Sequence, residues 1–186
     1  YVEGTRAALL HDFFTDDAVE KIHAWLKTIE GKDEFAGVAG LRGWMNREGH
    51  IGGNGDGREY IDAKSTERAK YNLRGDKIDI YKTKLLLEYP FPEFEGENFL
   101  SEHIVWDTIA MAGYKIRWFN DIIYKCEYRE DGLTKQPGYK LQLNNFKGFT
   151  LSTKIIFEEY YFPMNYFAIG LYYDVAKTKG YSTKKI

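Results

Sequence analysis

Hydrophobic and polar positions recur at helical spacing most clearly in the segment TDDAVEKIHAWLKTIEG. Its apolar residues form one stripe, which consists of Ala18, Val19, Ile22, Trp25, Leu26 and Ile29. Thr15 can cap this helix, because its hydroxyl can accept from an unpaired backbone N–H. Gly31 is a typical helix stop. The pattern therefore predicts an amphipathic helix that ends before Gly31.

Several short segments after this helix have the pattern of strands. They are EFAGVAGLRGWM, KIDIYKT, YKIRWF and DIIYKCEYR. Helical patterns lie between them in STERAKYNL, in KTKLLLEY, which Pro90 ends, and at residues 102–112. The glycine-rich segment REGHIGGNGDGREY lacks the full Walker spacing, so it favours a loop over a phosphate cradle. Interleaved strands and helices predict an α/β fold.

The pattern changes at Pro137, after which longer helical segments end in YYFPMNYFAIGLYYDVAKTKG. This aromatic stretch must pack on the domain, on a partner or at a membrane surface. We therefore predict two parts: a domain over residues 1–136 and a helical, aromatic-rich extension over residues 137–186.

Composition narrows the class of protein. A chain of 186 residues with 44% hydrophobic residues can bury one substantial core. Its net charge of -2, without a long basic run, argues against a nucleic-acid binder. The single cysteine, Cys126, allows no intramolecular disulfide and favours a reducing compartment. No run of 18 apolar residues and no signal peptide pattern occur, so we expect a soluble cytoplasmic protein.

The segment FLSEHIVWDTIAMAGYKIRWFND carries the strongest candidate chemistry. Glu102 follows Ser101, a plausible N-cap, and so lies where a helix exposes unpaired N–H groups and its positive dipole end. That position suits either a simple helix-end acid or a catalytic base. His103 is a second candidate, because an unperturbed imidazole titrates near neutrality.

The order of motifs from GDKIDIYK to YREDGLT resembles the second half of a bacterial family 2 glycosyltransferase with the GT-A fold. The resemblance covers about residues 9–135. In that family an acidic base lies four residues before a helix tryptophan, and a glycine follows seven residues later, before a strand. Glu102, Trp106 and Gly113 keep this spacing. The resemblance implies a partial GT-A-like mixed sheet flanked by helices, in the acceptor-binding half of an enzyme that is part of a longer protein.

The resemblance also implies residues for the donor side. LLHDFF occupies the place of the family's Asp-x-Asp motif, which makes Asp12 and His11 candidate ligands for Mg2+ or Mn2+. A lone aspartate before a helix is also a common turn or capping residue. Arg129 in YREDGLT is expected at the diphosphate.

Asp76 and Lys77, in RGDK, are further donor-side candidates because they precede a strand that can face the cleft. A turn at Gly75 explains these two residues equally well.

Aromatic side chains in or beside connectors are candidates for stacking on an acceptor sugar. They are Trp118, Phe94 and Phe99, with Trp44 as a further possibility. Any one of them alone is more often a packing residue. Trp106 is expected in the core, and His103 is expected to line the acceptor pocket.

The resemblance, carried by these residues, implies an inverting glycosyltransferase with Glu102 as general base. It would transfer a sugar from a nucleotide-sugar donor to a glycan or a lipid-linked acceptor of a bacterial surface polysaccharide. The expected location is the cytoplasm, with a peripheral position at the inner face of the membrane as the open alternative. The aromatic tail would mediate self-association or membrane contact. The alternative is a non-catalytic carbohydrate-binding or scaffold module whose metal motif is degenerate.

Overall fold

The computed structural model describes residues 13–127 and 139–182, which form two compact units. Residues 13–88 and 112–127 belong to the first unit, and residues 89–111 and 139–182 belong to the second. The predicted boundary at residue 136 therefore differs from the observed division. Residues 89–111 fold with the C-terminal helices, because their helix packs against one of those helices.

A four-stranded mixed sheet forms the centre of the first unit. Its strands are β1 (Phe35–Trp44), β2 (Tyr60–Ala63), β3 (Lys77–Tyr81) and β4 (Lys115–Cys126), in the order β2-β4-β1-β3. Strand β1 runs parallel to β4 and antiparallel to β3, and β2 runs antiparallel to β4. The mixed sheet with flanking helices confirms the predicted α/β class. The segment STERAKYNL, predicted as a helix, forms only a short 3-10 turn at Ser65–Glu67.

Helix α1 (Ala18–Thr28) covers one face of this sheet. Trp25 stacks on Phe119 of β4 with ring centroids 4.4 Å apart, within a core that also contains Ile29 and Val38. Val19, which we predicted in the apolar stripe, is 64% exposed, so that part of the prediction is wrong. It lies at the edge of the stripe, where hydrophobic periodicity cannot decide whether a side chain reaches the sheet.

The start of α1 also differs from the prediction. Asp17, rather than Thr15, occupies the N-cap position. The Thr15 hydroxyl donates a hydrogen bond of 2.8 Å to the Asp17 carboxylate instead of accepting from the backbone. Gly31 has a φ of +72°, which suits the predicted helix stop.

Strand β4 contains a buried charge that pairs with β2. Arg117 is 7% exposed, and its Nε and Nη2 each donate to the Asp62 carboxylate of β2 at 2.7 Å. Its Nη1 also donates to the carbonyl of Thr28 at 3.2 Å. The hydrogen bonds that Arg117 donates to the Asp62 carboxylate raise the pKa of Arg117, so the guanidinium stays charged. The paired guanidinium explains why a charged residue can occupy a strand with buried neighbours on both faces.

Helices make up the second unit. After α2 (Thr83–Glu88) of the first unit come α3 (His103–Met111), α4 (Lys140–Asn144), α5 (Phe146–Glu159) and α6 (Met164–Thr178). Phe146, Val175 and Ala176 form a small core between α5 and α6. The helical character predicted for the C-terminal segment is confirmed. None of the helices in the described part of the chain has the length and apolarity needed to cross a bilayer.

Candidate functional site

A cavity of about 320 Å³ lies entirely within the second unit. The connector before α3, the start of α3, helix α4 and the first half of α5 form its walls. Its lining combines aromatic, amide, hydroxyl and imidazole groups and includes Phe99, Ser101, His103, Gln142, Phe149 and Ser152. Two of the residues predicted for the site, His103 and Phe99, therefore meet in one cavity.

Glu102 lies at the N-terminal end of α3, between two residues that line the cavity. The helix begins at His103, one residue later than predicted, and the Glu102 carbonyl accepts hydrogen bonds from the N–H groups of Val105 and Trp106. The side chain of Glu102 is exposed and is not itself part of the cavity wall. The carboxylate is therefore next to the helix N-terminus, where the dipole stabilises negative charge.

His103 is held by a hydroxyl on each ring nitrogen. Ser101 Oγ lies 2.6 Å from Nδ1, and Ser152 Oγ lies 2.9 Å from Nε2. Burial lowers the pKa of His103 from its ordinary value of 6.5, and the nearby Asp107 carboxylate opposes this in part. A neutral imidazole donates to one serine and accepts from the other, so both ring nitrogens have a hydrogen-bond partner.

The lowered pKa of His103 predicts a pH dependence of stability. In the unfolded chain the imidazole has its ordinary pKa of 6.5, so the unfolded state binds a proton at a higher pH than the folded state does. The free energy of unfolding should be fully retained above pH 6.5 and should decrease as the pH falls toward the folded-state pKa. His103→Gln should flatten this slope.

Urea denaturation at several pH values between 7.5 and 5.0 measures this dependence. His23→Gln is the matched control, because His23 is exposed on α1. An unchanged slope in His103→Gln, or the same flattening in His23→Gln, would contradict the assignment.

Two side chains join the parts of the chain that form the cavity wall. Asn145, which is 3% exposed, accepts from the N–H groups of Asn98 and Phe99 at 2.9 and 3.0 Å. The Glu97 carboxylate accepts from the N–H groups of Lys147 and Gly148 at 2.6 and 2.9 Å. These two N–H groups belong to the first turn of α5, which has no intrahelical acceptors for them. Asn145 and Glu97 thus attach the connector to α5.

One residue of the cavity wall, Gln142, carries a buried polar atom without a partner among the described residues. Gln142 Oε1 is buried and has no hydrogen-bond partner within residues 13–127 and 139–182. A buried amide oxygen without a donor is unfavourable, so an arriving hydroxyl group would find an acceptor there.

Asp107 lies one turn after His103 on α3 and is 1% exposed. Its Oδ2 accepts a hydrogen bond of 2.9 Å from the hydroxyl of Tyr160. Trp106, which we predicted in the core, is only half-buried and makes an edge-on contact with Phe91. The buried stripe of α3 instead passes through Asp107, because that carboxylate has a hydrogen-bond donor within the unit.

Two predicted site residues are corrected by their burial. Trp118 is 3% exposed, and its Nε1 donates to the carbonyl of Ala63 at 3.0 Å, so it cannot stack on a sugar. Lys77 is 4% exposed, and its Nζ donates to the carbonyls of Ile51, Arg74 and Asp76 at 3.3, 3.1 and 3.5 Å. Lys77 therefore fixes the turn before β3 and the glycine-rich loop rather than binding a phosphate.

Burial has a further effect on Lys77. Loss of water around the ammonium and the nearby Arg68 charge lower the pKa of Lys77 to about 8. Asp76 is exposed at the same turn, and its carboxylate lies 4.0 Å from Nη1 of Arg42. A structural turn was the alternative to donor binding that the sequence left open for Asp76 and Lys77.

The remaining predicted residues are separated from the cavity or fall outside the structure. Phe94 is half-buried in a turn closed by its carbonyl and the N–H of Glu97, and it does not line the cavity. His11, Asp12 and Arg129 lie outside the described residues. Within the described ranges, no group of three or more His, Cys, Asp and Glu residues is arranged to hold a metal ion.

Sequence reasoning missed the residues that α4 and α5 contribute. Asn145, Phe149 and Ser152 recur at helical spacing and so lie on one face of the helical segment. This helical spacing was the signal in the sequence that could have indicated a shared face. Its partner His103 lies 49 residues earlier than Ser152, so local periodicity could not pair them.

Comparison with known proteins gives no match for this chain, whether with family models, curated proteins or solved structures.

Proposed function

We propose that this chain is the acceptor-binding half of an inverting glycosyltransferase similar to bacterial family 2 enzymes. The observation that carries the proposal is the position of Glu102, an exposed carboxylate at the N-terminal end of α3 between the cavity residues Ser101 and His103. The order that follows it also supports the proposal, since α3 ends at Met111, Gly113 has a φ of +104° and β4 begins at Lys115.

In this proposal Glu102 accepts the proton of an acceptor hydroxyl. The hydroxyl oxygen then forms a bond to the anomeric carbon, while the bond between that carbon and the nucleoside diphosphate breaks. The diphosphate leaves with the electron pair, and the configuration at the anomeric carbon inverts. A positioned carboxylate base of this kind typically contributes about 10²-fold to 10⁴-fold in rate.

The cavity in the second unit is the proposed acceptor site. Phe99 and Phe149 supply aromatic surface for a sugar ring, and Gln142 Oε1 supplies a hydrogen-bond acceptor for a hydroxyl group. A volume of about 320 Å³ is at the lower end of the range for small-molecule sites, which suits one or two sugar units. His103 lines this cavity and, when neutral, can take part in a hydrogen bond with an acceptor hydroxyl.

The donor side of the proposal rests on the resemblance. Arg129 is the proposed contact to the diphosphate, and Asp12 with His11 would hold Mg2+ or Mn2+, which stabilises negative charge on phosphates. These three residues lie outside the described ranges. Glu102 and the cavity residues act on the acceptor in this proposal, and no step is assigned to the metal.

In keeping with the resemblance, we place the reaction in the cytoplasm. A lipid-linked acceptor would bring the enzyme to the inner face of the membrane. A glycan acceptor would not require that location.

The acceptor site can be tested through Gln142→Ala in a transfer assay with a panel of nucleotide sugars and Mn2+. The assay uses the full-length polypeptide, by which we mean the longer protein that the resemblance implies. Loss of one neutral hydrogen bond should raise the KM for the acceptor by about tenfold, with little change in kcat. The matched control is Asn144→Ala, because Asn144 is exposed on the same short helix. Equal effects of the two substitutions, or a loss in kcat alone, would contradict an acceptor site in this cavity.

A second candidate is a non-catalytic carbohydrate-binding module. The same cavity favours it, because aromatic and amide groups bind sugars without chemistry. Titration with oligosaccharides separates the two functions. Glycan binding without nucleotide-sugar binding or transfer would favour the module.

A further inference from the structure

The helical hairpin formed by α5 and α6 carries an exposed apolar surface, which we call the hairpin tip and define as residues 161–173. This stretch, YFPMNYFAIGLYY, contains no charged residue. Four of its aromatic side chains are highly exposed: Tyr161 at 88%, Phe162 at 78%, Phe167 at 72% and Tyr166 at 66%. An exposed patch of this kind usually marks an interaction surface.

The rest of the hairpin shows that this exposure is local. At the base, Val175 and Ala176 of α6 are buried against Phe146 of α5, and Tyr172 stacks on Phe146 with centroids 5.5 Å apart. Toward the tip, Asn165 and Ala168 continue the half-buried stripe. The hairpin therefore has its own small core, and the four highly exposed aromatic residues of the tip are not part of it.

The exposed residues of the tip cover a wide arc of α6. At about 100° per residue, Met164, Tyr166, Phe167, Ile169, Leu171 and Tyr173 span roughly 220° of the helix circumference. A flat protein interface covers one face of a helix, whereas a fluid apolar phase can surround more than half of it. The breadth of the arc thus favours lipid over a second copy of the chain.

The residue types and the distribution of charge also favour lipid as the partner of the tip. Tyrosine rings combine an apolar body with a polar tip, and they are enriched where hydrocarbon meets the headgroups. Charged residues return only beyond the tip, at Asp174 and Lys177 of α6 and at Glu158 and Glu159 of α5. The charged side chains nearest the tip are therefore on α5 and at the base, and α5 also exposes Phe157 at 50%.

We propose that the hairpin tip binds a lipid bilayer, with the outer face of α6 lying in the interfacial region and α5 turned toward water. This arrangement resembles an interfacial amphipathic helix whose polar face is a second helix. Because the tip has no basic residues, binding depends on apolar contact and does not require anionic lipids. The inference deepens the membrane location proposed above by naming the surface responsible for it.

Vesicle flotation of the 186-residue chain tests the proposal directly and needs no nucleotide sugar, so its failure is separate from failure of the transferase proposal. We expect binding to vesicles of pure phosphatidylcholine, with less than a twofold increase when one third is phosphatidylserine. The double variant Phe162→Ser/Phe167→Ser should reduce the partition coefficient by about tenfold or more. Leu87→Ser is the matched control, because Leu87 is 77% exposed on α2 and lies outside the hairpin.

Depth measurements give a second readout in case the serine variants fold poorly. In a Cys126→Ser background, a fluorophore on Phe167→Cys should be quenched by brominated lipids, while the same label on Leu87→Cys should not be. Absence of quenching at position 167 overturns the proposal. The proposal is also overturned if the wild-type chain does not bind vesicles. A dimer that light scattering detects without lipid, and that the double variant abolishes, would overturn it as well.

Discussion

Replacement of Glu102 by glutamine is expected to lower turnover by about 100-fold or more, with little change in donor affinity. Glutamine keeps the shape and hydrogen-bonding reach of the side chain but removes its basicity. Because Glu102 is exposed at the end of α3, its loss should cost little folding free energy beyond a helix-dipole contribution of less than about 1 kcal/mol. Steady-state kinetics on the full-length polypeptide, together with thermal unfolding, measure both quantities.

Glu93→Gln is the control for this substitution, since Glu93 is also exposed and lies on the connector before α3. It should retain turnover. If Glu102→Gln keeps near-full turnover but loses roughly 1 kcal/mol of stability, the residue is only a helix-end acid. The base would then have to be His103 or the buried Asp107.

Gly37→Ala is expected to destabilise the sheet by about 3 kcal/mol or more. A Cβ atom at Gly37 of β1 would lie 2.0 Å from the carbonyl oxygen of Ile80 on β3, where the obstacle is backbone. Strands β1 and β3 would have to separate, because a backbone carbonyl cannot rotate away as a flexible side chain can. Urea denaturation measures the loss of stability.

Gly170→Ala provides the same substitution with the opposite expected sign. A Cβ atom at Gly170 meets nothing within 4 Å, and the residue lies inside α6. Alanine has the higher helix propensity, so this variant should gain up to about 1 kcal/mol. Similar effects of both substitutions would argue against the steric account of Gly37.

Much of the fold could be predicted because its signals are local. The period-3.6 stripe located α1, and the alternating or β-rich segments located β1, β3 and β4. The two segments YKIRWF and DIIYKCEYR proved to be one strand, because an irregular register lets β4 continue along β1. The burial of Arg117 could not be predicted, since its partner Asp62 lies 55 residues earlier.

The candidate site was predictable to a smaller extent. Glu102 and His103 were predicted from the helix N-terminus and the family spacing, and Phe99 from its place in a connector. The structure places His103 and Phe99 in the cavity wall and Glu102 beside it. The predicted ligand-binding roles of Trp118 and Lys77 were wrong because both side chains are buried. Each donates to backbone carbonyls, and no pattern of side chains in the sequence reveals such partners. Gln142 and Ser152 were missed because only tertiary packing brings α4 and α5 to the start of α3.

Calorimetric titration of nucleotide sugars into the full-length polypeptide tests the glycosyltransferase proposal most directly. The titrations are run once with Mn2+ and once with a chelator, and oligosaccharide titrations serve as the comparison. The proposal predicts that at least one nucleotide sugar binds, that the chelator weakens its binding, and that Glu102→Gln leaves this affinity nearly unchanged. Binding of oligosaccharides with no heat from any nucleotide sugar in either condition would contradict the proposal and favour a carbohydrate-binding module.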